Sequence, residues 1–379
     1  MFFLEDEEAH IEIPPHKDRR VFIECRSRNE QSTFEQVGLA LIWANQPLKS
    51  VFITFHILRS LIILPWLLVR YGPKSARPFP EWSLKQCMIN AVVRQLLVYY
   101  TETKSNAMSI VVTEHKKAKE RHSLAERTAA NLYSSILTSS VWSPNLDEEN
   151  VVLHFPGGAF VLAFGQEMYG RTVSKAMSQH LMAIDDATRF PAALQDVVTF
   201  YSYILSLGVK PHNFIFSGDS AAGNLAVALL RHLETSPSLP LPGGAIVWSP
   251  WVYVTPHAGE DYKSSKNAAN DCLTAPLLQW GAEAYFPKHE LTSEELAYIS
   301  PLHHSFLTRV PLIIQAGTAE AFFDTIEEFA KQMTDVDGNR VKFRSTDFAS
   351  HNLILTYDGV GLEHEIEGVL RDASSYFWP

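Results

Sequence analysis

Hydrophobic and polar positions follow three rhythms along this chain. Residues 1 to 46 are polar, mixed in charge and without a helical or strand period, and read as an extension with no core of its own. Residues 51 to 69, VFITFHILRSLIILPWLLV, are the most apolar stretch. They approach the roughly 20 residues that cross a bilayer, but Arg59 and Pro65 interrupt them. An Arg at the centre of a spanning helix costs about 2.5 to 3.5 kcal/mol, and each Leu or Ile returns about 0.3 to 0.6, so the balance is close to zero. Two readings stand for this segment: a buried or interfacial helix covering an acyl-binding pocket, and contact with a membrane.

From residue 150 onward short apolar runs alternate with amphipathic helical stretches, which predicts an α/β domain with a mostly parallel, helix-covered sheet. The predicted strands are Val151 to Phe155, Asn213 to Ser217, Ala245 to Trp248, Pro311 to Gln315 and Val341 to Arg344, with helices over 221–234 and 320–333. No internal repeat or low-complexity tract breaks the pattern.

Composition narrows the class. Among 379 residues, 46% are hydrophobic and 20% charged, ordinary globular usage. The formal charge of -10, with no basic cluster interleaved with aromatics, argues against a nucleic-acid partner. Cys25, Cys87 and Cys272 are odd in number and far apart, so no disulfide framework or metal knuckle is readable and a reducing, intracellular compartment fits, cytoplasmic or membrane-associated. The start, MFFLEDEEAH, places acids directly after a short apolar stretch, unlike a secretory leader, and the terminal Phe377-Trp378-Pro379 is no peroxisomal address.

The most informative segment is NFIFSGDSAAGNLAVALLRHL, an apolar strand running through Gly218-Asp219-Ser220-Ala221-Ala222-Gly223 into an Ala/Leu-rich helix. A serine on such a turn is held in strained geometry with its hydroxyl exposed, and Gly218 and Ala222 are the small neighbours that avoid collision. The helix N-terminus aims free N–H groups at the site, with Ala221 N–H one donor to a developing oxyanion. The alternative is a Ser that merely caps a helix. Some 60 residues upstream, VVLHFPGGAFVLAF sets Gly157-Gly158-Ala159 after a strand, where bare amides form the second half of an oxyanion hole or simply a turn.

With PGGAF at 156–160, FPAALQD at 190–196, GDSAAG at 218–223, SPW at 249–251 and ISPL at 299–302 in this order, the chain resembles the hormone-sensitive-lipase-like branch of α/β-hydrolases, particularly fungal members, over about residues 150–360. The resemblance implies the α/β-hydrolase fold: residues 1–110 as an N-terminal extension with the apolar helix and cap elements, and 111–379 as the catalytic domain. It places the nucleophile on Ser220 and the oxyanion donors on Gly157, Gly158 and Ala221. The family's His before the glycines is Pro156 here, which has no N–H or polar side chain to hold the loop.

The family order, Ser then acid then His, is met by PLIIQAGTAEAFFDTIEEFA and FRSTDFASHNLILT. Glu320 aligns with the family's acid and is preferred over Asp324; His351 aligns with the base. The bland reading of Glu320, Asp324, Glu327 and Glu328 is an acidic first turn and a solvated helix face. Of the 15 histidines, adjacent His303 and His304 point apart and no His-Glu-x-x-His run exists, so no metal or other cofactor is expected.

Only residues 161–189 lie between Phe160 and Phe190, where the family fits a helix and a Tyr-Arg-Leu strand; His180 to Ile184 is the one short strand candidate, so the central sheet is expected to be abridged. That departure motivates a second class of reading, a non-catalytic or degenerate small-molecule binding protein on a hydrolase scaffold. The preferred expectation is serine-dependent hydrolysis of a small lipophilic carboxylic ester, by resemblance in fungal secondary-metabolite (toxin) biosynthesis, with amide or peptide hydrolysis as a further alternative. Oligomeric state leaves no signature in the sequence.

Overall fold

The computed structural model describes residues 46–104, 151–155, 157–162, 189–206, 208–236 and 238–377. The readings made on residues 1–45, on His180 to Ile184, on Pro156 and on the boundary at 110/111 lie outside the described residues.

Two helices come first. Helix α1 (Leu48–Arg70) is the apolar stretch, with Pro65 inside it, and α2 (Leu84–Thr103) starts at Ser83, whose hydroxyl accepts the Gln86 N–H. Arg59 donates to Gln95 Oε1 at 2.8 Å and the His56 ring lies 5.8 Å from that of Tyr99, so α1 and α2 run antiparallel.

Strand β1 (Val151–Phe155), helix α3 (Ala192–Ser206), strand β2 (Phe214–Asp219), helix α4 (Ser220–Thr235) and strand β3 (Gly244–Trp248) open the α/β part. Helices α5 (Ala258–Ser264), α6 (Ala275–Tyr285) and α7 (Ser293–Ile299), strand β4 (Leu312–Gly317), helix α8 (Phe323–Thr334), strand β5 (Val341–Thr346) and helices α9 (Leu353–Val360) and α10 (Glu363–Phe377) complete it. All described strands are parallel, in the order β1-β2-β3-β4-β5.

All five predicted strands form, β1 with the predicted bounds and β2 to β5 with shifted ends. Asn213 closes a short 3₁₀ turn, so β2 begins at Phe214 and runs two residues further, to Asp219. Helix α8 begins at Phe323 and not at residue 320, which leaves Glu320 in the turn after β4.

The burial follows from the sequence rhythm. Strands β2, β3 and β4 are buried throughout, as expected of central parallel strands covered on both faces. Helix α4 is buried from Ser220 to Leu230, because its run of Ala, Gly and Leu lets it lie close against the sheet. Helix α8 buries Ile326, Phe329, Ala330 and Met333 at helical spacing and turns Asp324, Glu327 and Glu328 to solvent, so those three acids form the solvated face. Tyr201 of α3 meets Phe214 and Phe216 of β2 edge-on, at 5.5 and 4.8 Å between centroids. The register brings the carboxyl ends of β1 to β5 to one side, where ligands bind in parallel sheets.

Candidate active site

Strand β2 hands over directly to α4, and Ser220 sits at the junction with φ 55°, a left-handed conformation that costs a non-glycine residue about 1 to 3 kcal/mol. The turn is close enough to exclude a side chain at Gly218, where a Cβ would stand 2.4 Å from the Ala222 carbonyl oxygen. The Trp251 N–H donates to Ser220 O at 2.9 Å, tying the elbow to the SPW segment after β3.

The loop after β5 brings His351 to this serine: its Nε2 lies 3.0 Å from Ser220 Oγ and its Nδ1 2.8 Å from Glu320 Oε2. A carboxylate only accepts, so Nδ1–H donates to Glu320 and Nε2 is left to accept the Ser220 hydroxyl. Glu320 is fully buried and its Oε1 accepts the Gly317 N–H at 2.7 Å. Asp324, the alternative acid, is exposed and paired with Lys266 at 2.7 Å. Glu320 and not Asp324 therefore meets the imidazole.

Burial pushes the Glu320 carboxyl up. Burial also pulls the imidazole down, but the hydrogen bond and charge of Glu320, with the carboxylates of Asp271 and Asp219 behind it, outweigh that and raise His351 above its ordinary value.

The expected oxyanion donors divide. The Gly157 N–H donates to Asp219 Oδ1 at 2.9 Å, so a neighbouring carboxylate already holds the amide expected to face a reacting carbonyl. Among the described residues the amides of Gly158 and Ala221 carry no hydrogen bond. Ala221 lies in the first turn of α4, where the helix leaves N–H groups unpaired. At Gly158 any Cβ would fall 1.9 Å from Leu162 O, and the loop is closed by Leu162 N–H to Gly158 O at 2.7 Å.

Three further polar residues complete the site, and the sequence reading did not single them out. Asp219 gathers Gly157 N–H, the Asn352 side-chain amide at 2.6 Å and His154 Nε2 at 3.2 Å, joining the glycine loop, the elbow and the His351 loop on one carboxylate. Its place inside GDSAAG was the available signal. Asn352 also caps α9 through Leu355 N–H, and its signal was adjacency to His351. Asp271, fully buried, accepts Ala321 N–H at 2.7 Å and Cys272 N–H at 2.6 Å, while Cys272 Sγ donates to the His351 carbonyl at 3.1 Å. Nothing in its sequence surroundings marks Asp271.

An aromatic wall stands beside the polar path. Phe322 meets His351 edge-on at 5.4 Å, Trp251 stacks on Phe322 at 5.9 Å, and Phe160 stacks on Tyr285 at 3.7 Å while reaching Trp251 at 5.9 Å. Such surroundings exclude water and favour an apolar substituent over an ionic one. Among the described residues no three or more His, Cys, Asp or Glu are grouped to hold a metal ion. A hydroxyl facing an imidazole, a carboxylate behind it and two unpaired amides beside it can together deprotonate an oxygen nucleophile and stabilise an oxyanion.

Parts of the chain are similar to known proteins. A family profile described as the alpha/beta hydrolase fold matches residues 187–355. An acetyl-hydrolase of Streptomyces hygroscopicus is 30% identical over 193 residues, 48% of this chain and 60% of that protein. An esterase of Acinetobacter venetianus is 28% identical over 197 residues, 49% of this chain and 62% of that protein. The chain thus spans about three fifths of the length of these curated relatives. A crystal structure of an esterase from the bacterial hormone-sensitive lipase family aligns at 20% identity with a TM-score of 0.46, covering 68% of this chain and 91% of that one. The fold is that of an α/β-hydrolase, with a parallel five-stranded sheet flanked by helices and a helical N-terminal region.

Proposed function

We propose that this chain hydrolyses carboxylic esters of small lipophilic molecules through an acyl-enzyme on Ser220. The carrying observation is the unbroken path from Ser220 Oγ through His351 to buried Glu320, set on a strained elbow beside two unpaired amides. His351 takes the hydroxyl proton as Ser220 Oγ bonds to the ester carbonyl carbon, and the carbonyl oxygen becomes an oxyanion held by the Gly158 and Ala221 amides. When the tetrahedral adduct collapses, the C–O bond to the alcohol breaks and His351 returns the proton to the leaving oxygen. Water then repeats the sequence on the acyl-enzyme, releasing the acid and restoring Ser220. Glu320 orients the imidazole and stabilises its charged form without taking the proton.

The relatives named acetyl-hydrolase and esterase support this chemistry, and the aromatic wall of Phe160, Trp251 and Phe322 supports a lipophilic substrate. A place in fungal secondary-metabolite chemistry rests on the sequence resemblance alone. An intracellular setting, cytoplasmic or membrane-associated, fits the free, buried thiols of Cys87 and Cys272. The competing reading, a binding scaffold that has lost catalysis, does not require a serine, imidazole and carboxylate aligned within hydrogen-bond distance. Labelling with a fluorophosphonate probe separates the two. The wild-type chain should label and turn over short and medium p-nitrophenyl esters, and Ser220→Ala should do neither, with kcat lower by about 10⁶. A folded wild-type protein that neither labels nor turns over would leave only the binding reading.

A further inference from the structure

Helix α1 is apolar on both sides and leaves one of them uncovered, which is unusual for a helix in water. At about 100° per residue, its positions from 51 to 69 fall into two half-cylinders of about 180° each. The half facing the rest of the protein carries Phe52, Ile53, Ile63, Leu64 and Leu67 together with the polar side chains His56, Arg59 and Ser60. His56 is buried, and Arg59 is satisfied by Gln95 of α2. The half facing outward is Val51, Thr54, Phe55, Ile57, Leu58, Leu61, Ile62, Pro65, Trp66, Leu68 and Val69, all exposed, with Ile62 at 73% and Val69 at 78%. It holds no charge, and its one hydroxyl, on Thr54, is spent on Ser50 O at 3.0 Å. Helix α2 adds exposed Val92 and Leu96.

We propose that this outward face of α1 is embedded in a lipid bilayer, with the helix lying in the plane of one leaflet. Exposed apolar surface of this extent marks an interaction site in a soluble protein. A second copy of the helix would cover a narrow seam along α1, whereas the exposed apolar face is a full half-cylinder, which a continuous apolar medium covers. The charges sit at the ends: Lys49 precedes the apolar run, and Arg70 closes it, its guanidinium 5.0 Å over the Trp66 ring, an aromatic and basic anchor of the kind found at headgroup level. Length and composition alone would let α1 cross a membrane. Its packing argues otherwise, because the other half-cylinder lies antiparallel along α2. Helix α2 in turn is fastened to the α/β domain: Gln86 donates to Phe348 O at 3.1 Å and Asn90 to Asn270 O at 2.7 Å, and Arg94 also donates to the Asp271 carbonyl. A helix tied on one side through α2 to the α/β domain can enter only one leaflet.

The test is flotation of the purified full chain with phosphatidylcholine vesicles on a density gradient, combined with depth measurement. Wild type should float with the vesicles at low salt and in 1 M NaCl, since an apolar face does not depend on charge. L58Q/L61Q/I62Q/V69Q should float at least tenfold less while keeping the circular-dichroism melt of wild type. Leu58→Trp in a Trp66→Phe background should be quenched more by lipids brominated near the headgroup than by lipids brominated near the chain end. Stronger quenching by the deep bromines would mean that α1 spans the bilayer and overturns the in-plane arrangement. A wild-type chain that stays in the aqueous fraction, as monomer or dimer, overturns membrane embedding altogether.

Discussion

Two regions of this molecule invert the usual distribution of polarity, in opposite senses. At the carboxyl ends of β2, β4 and β5 the carboxylates of Asp219, Asp271 and Glu320 are buried with His351 among aromatic rings. On α1 Ile57, Leu58, Leu61, Ile62, Trp66 and Leu68 are exposed while an arginine and a histidine turn in. The first region is held by directed bonds, because each buried acceptor must find a donor or cost about 1 to 3 kcal/mol. The second is held by nothing directed on its outer side. Losing one atom in the first should therefore have steep, specific consequences, and losing one in the second should have shallow ones until a membrane is present.

After loss of the nucleophile itself, the largest expected effect is at the carboxylate behind the imidazole. Glu320→Gln keeps the shape but can present an amide N–H to Nδ1, favouring the wrong tautomer, and kcat should fall by about 10⁴. Asp324→Asn, four residues away and exposed, should leave p-nitrophenyl ester turnover within about twofold and stability within about 0.5 kcal/mol. Equal losses in the two variants would remove Glu320 from the relay. Next comes Gly158→Ala: the added methyl collides with Leu162 O, so the loop must move its amide off the oxyanion position. A loss of about 10² in kcat is expected, with a lowered thermal melt because the clash is with backbone, and unchanged kcat in the folded variant would exclude this amide as a donor.

Asp271→Asn should act on pH dependence more than on maximal rate. The Asp271 carboxylate helps hold His351 above its ordinary value, and the base works only when neutral. In wild type the acid limb of kcat/KM should thus lie above the usual imidazole range. Removing the charge makes the imidazolium less favourable, lowers the His351 pKa and moves the limb to lower pH. An unmoved limb in the Asn variant, read from a full pH profile, would reduce Asp271 to a purely structural acceptor for the Ala321 and Cys272 amides.

The steep region was the more legible of the two. A strand, a small-residue turn and an Ala/Leu helix can be read from local pattern, and chain order then points to Glu320 and His351. What local pattern cannot show is which amide is already taken. Gly157 looked as free as Gly158 until the chain brought Asp219 across to it. Asp271 was hidden for the same reason, since its value lies in a distance to residues some 50 positions later, at Glu320 and Ala321. The displaced start of α8 has a distant cause as well: Ala319 to Phe322 form a turn whose Ala321 amide is bound by Asp271, while the acidic residues from Glu320 on read as a helical first turn. In α1 the composition was plain but the orientation was not. An apolar run with one Arg reads alike whichever side it turns out, and the Arg59 to Gln95 bond with the burial of His56 against Tyr99 settles which side is which.

The smallest expected effect tests that orientation in water alone. Leu61→Gln with Ile62→Gln replaces two side chains exposed by 66% and 73% with residues of similar helix propensity. If the outer face touches nothing in a lipid-free, detergent-free buffer, these substitutions remove no packing and the urea midpoint should stay within about 0.5 kcal/mol of wild type. Two buried residues of this size would instead cost about 2 to 5 kcal/mol each on truncation. A fall of that order, and a dependence of the midpoint on protein concentration, would mean that a second copy covers the face in solution. The contrast between the two regions would then be one of partners rather than of solvent.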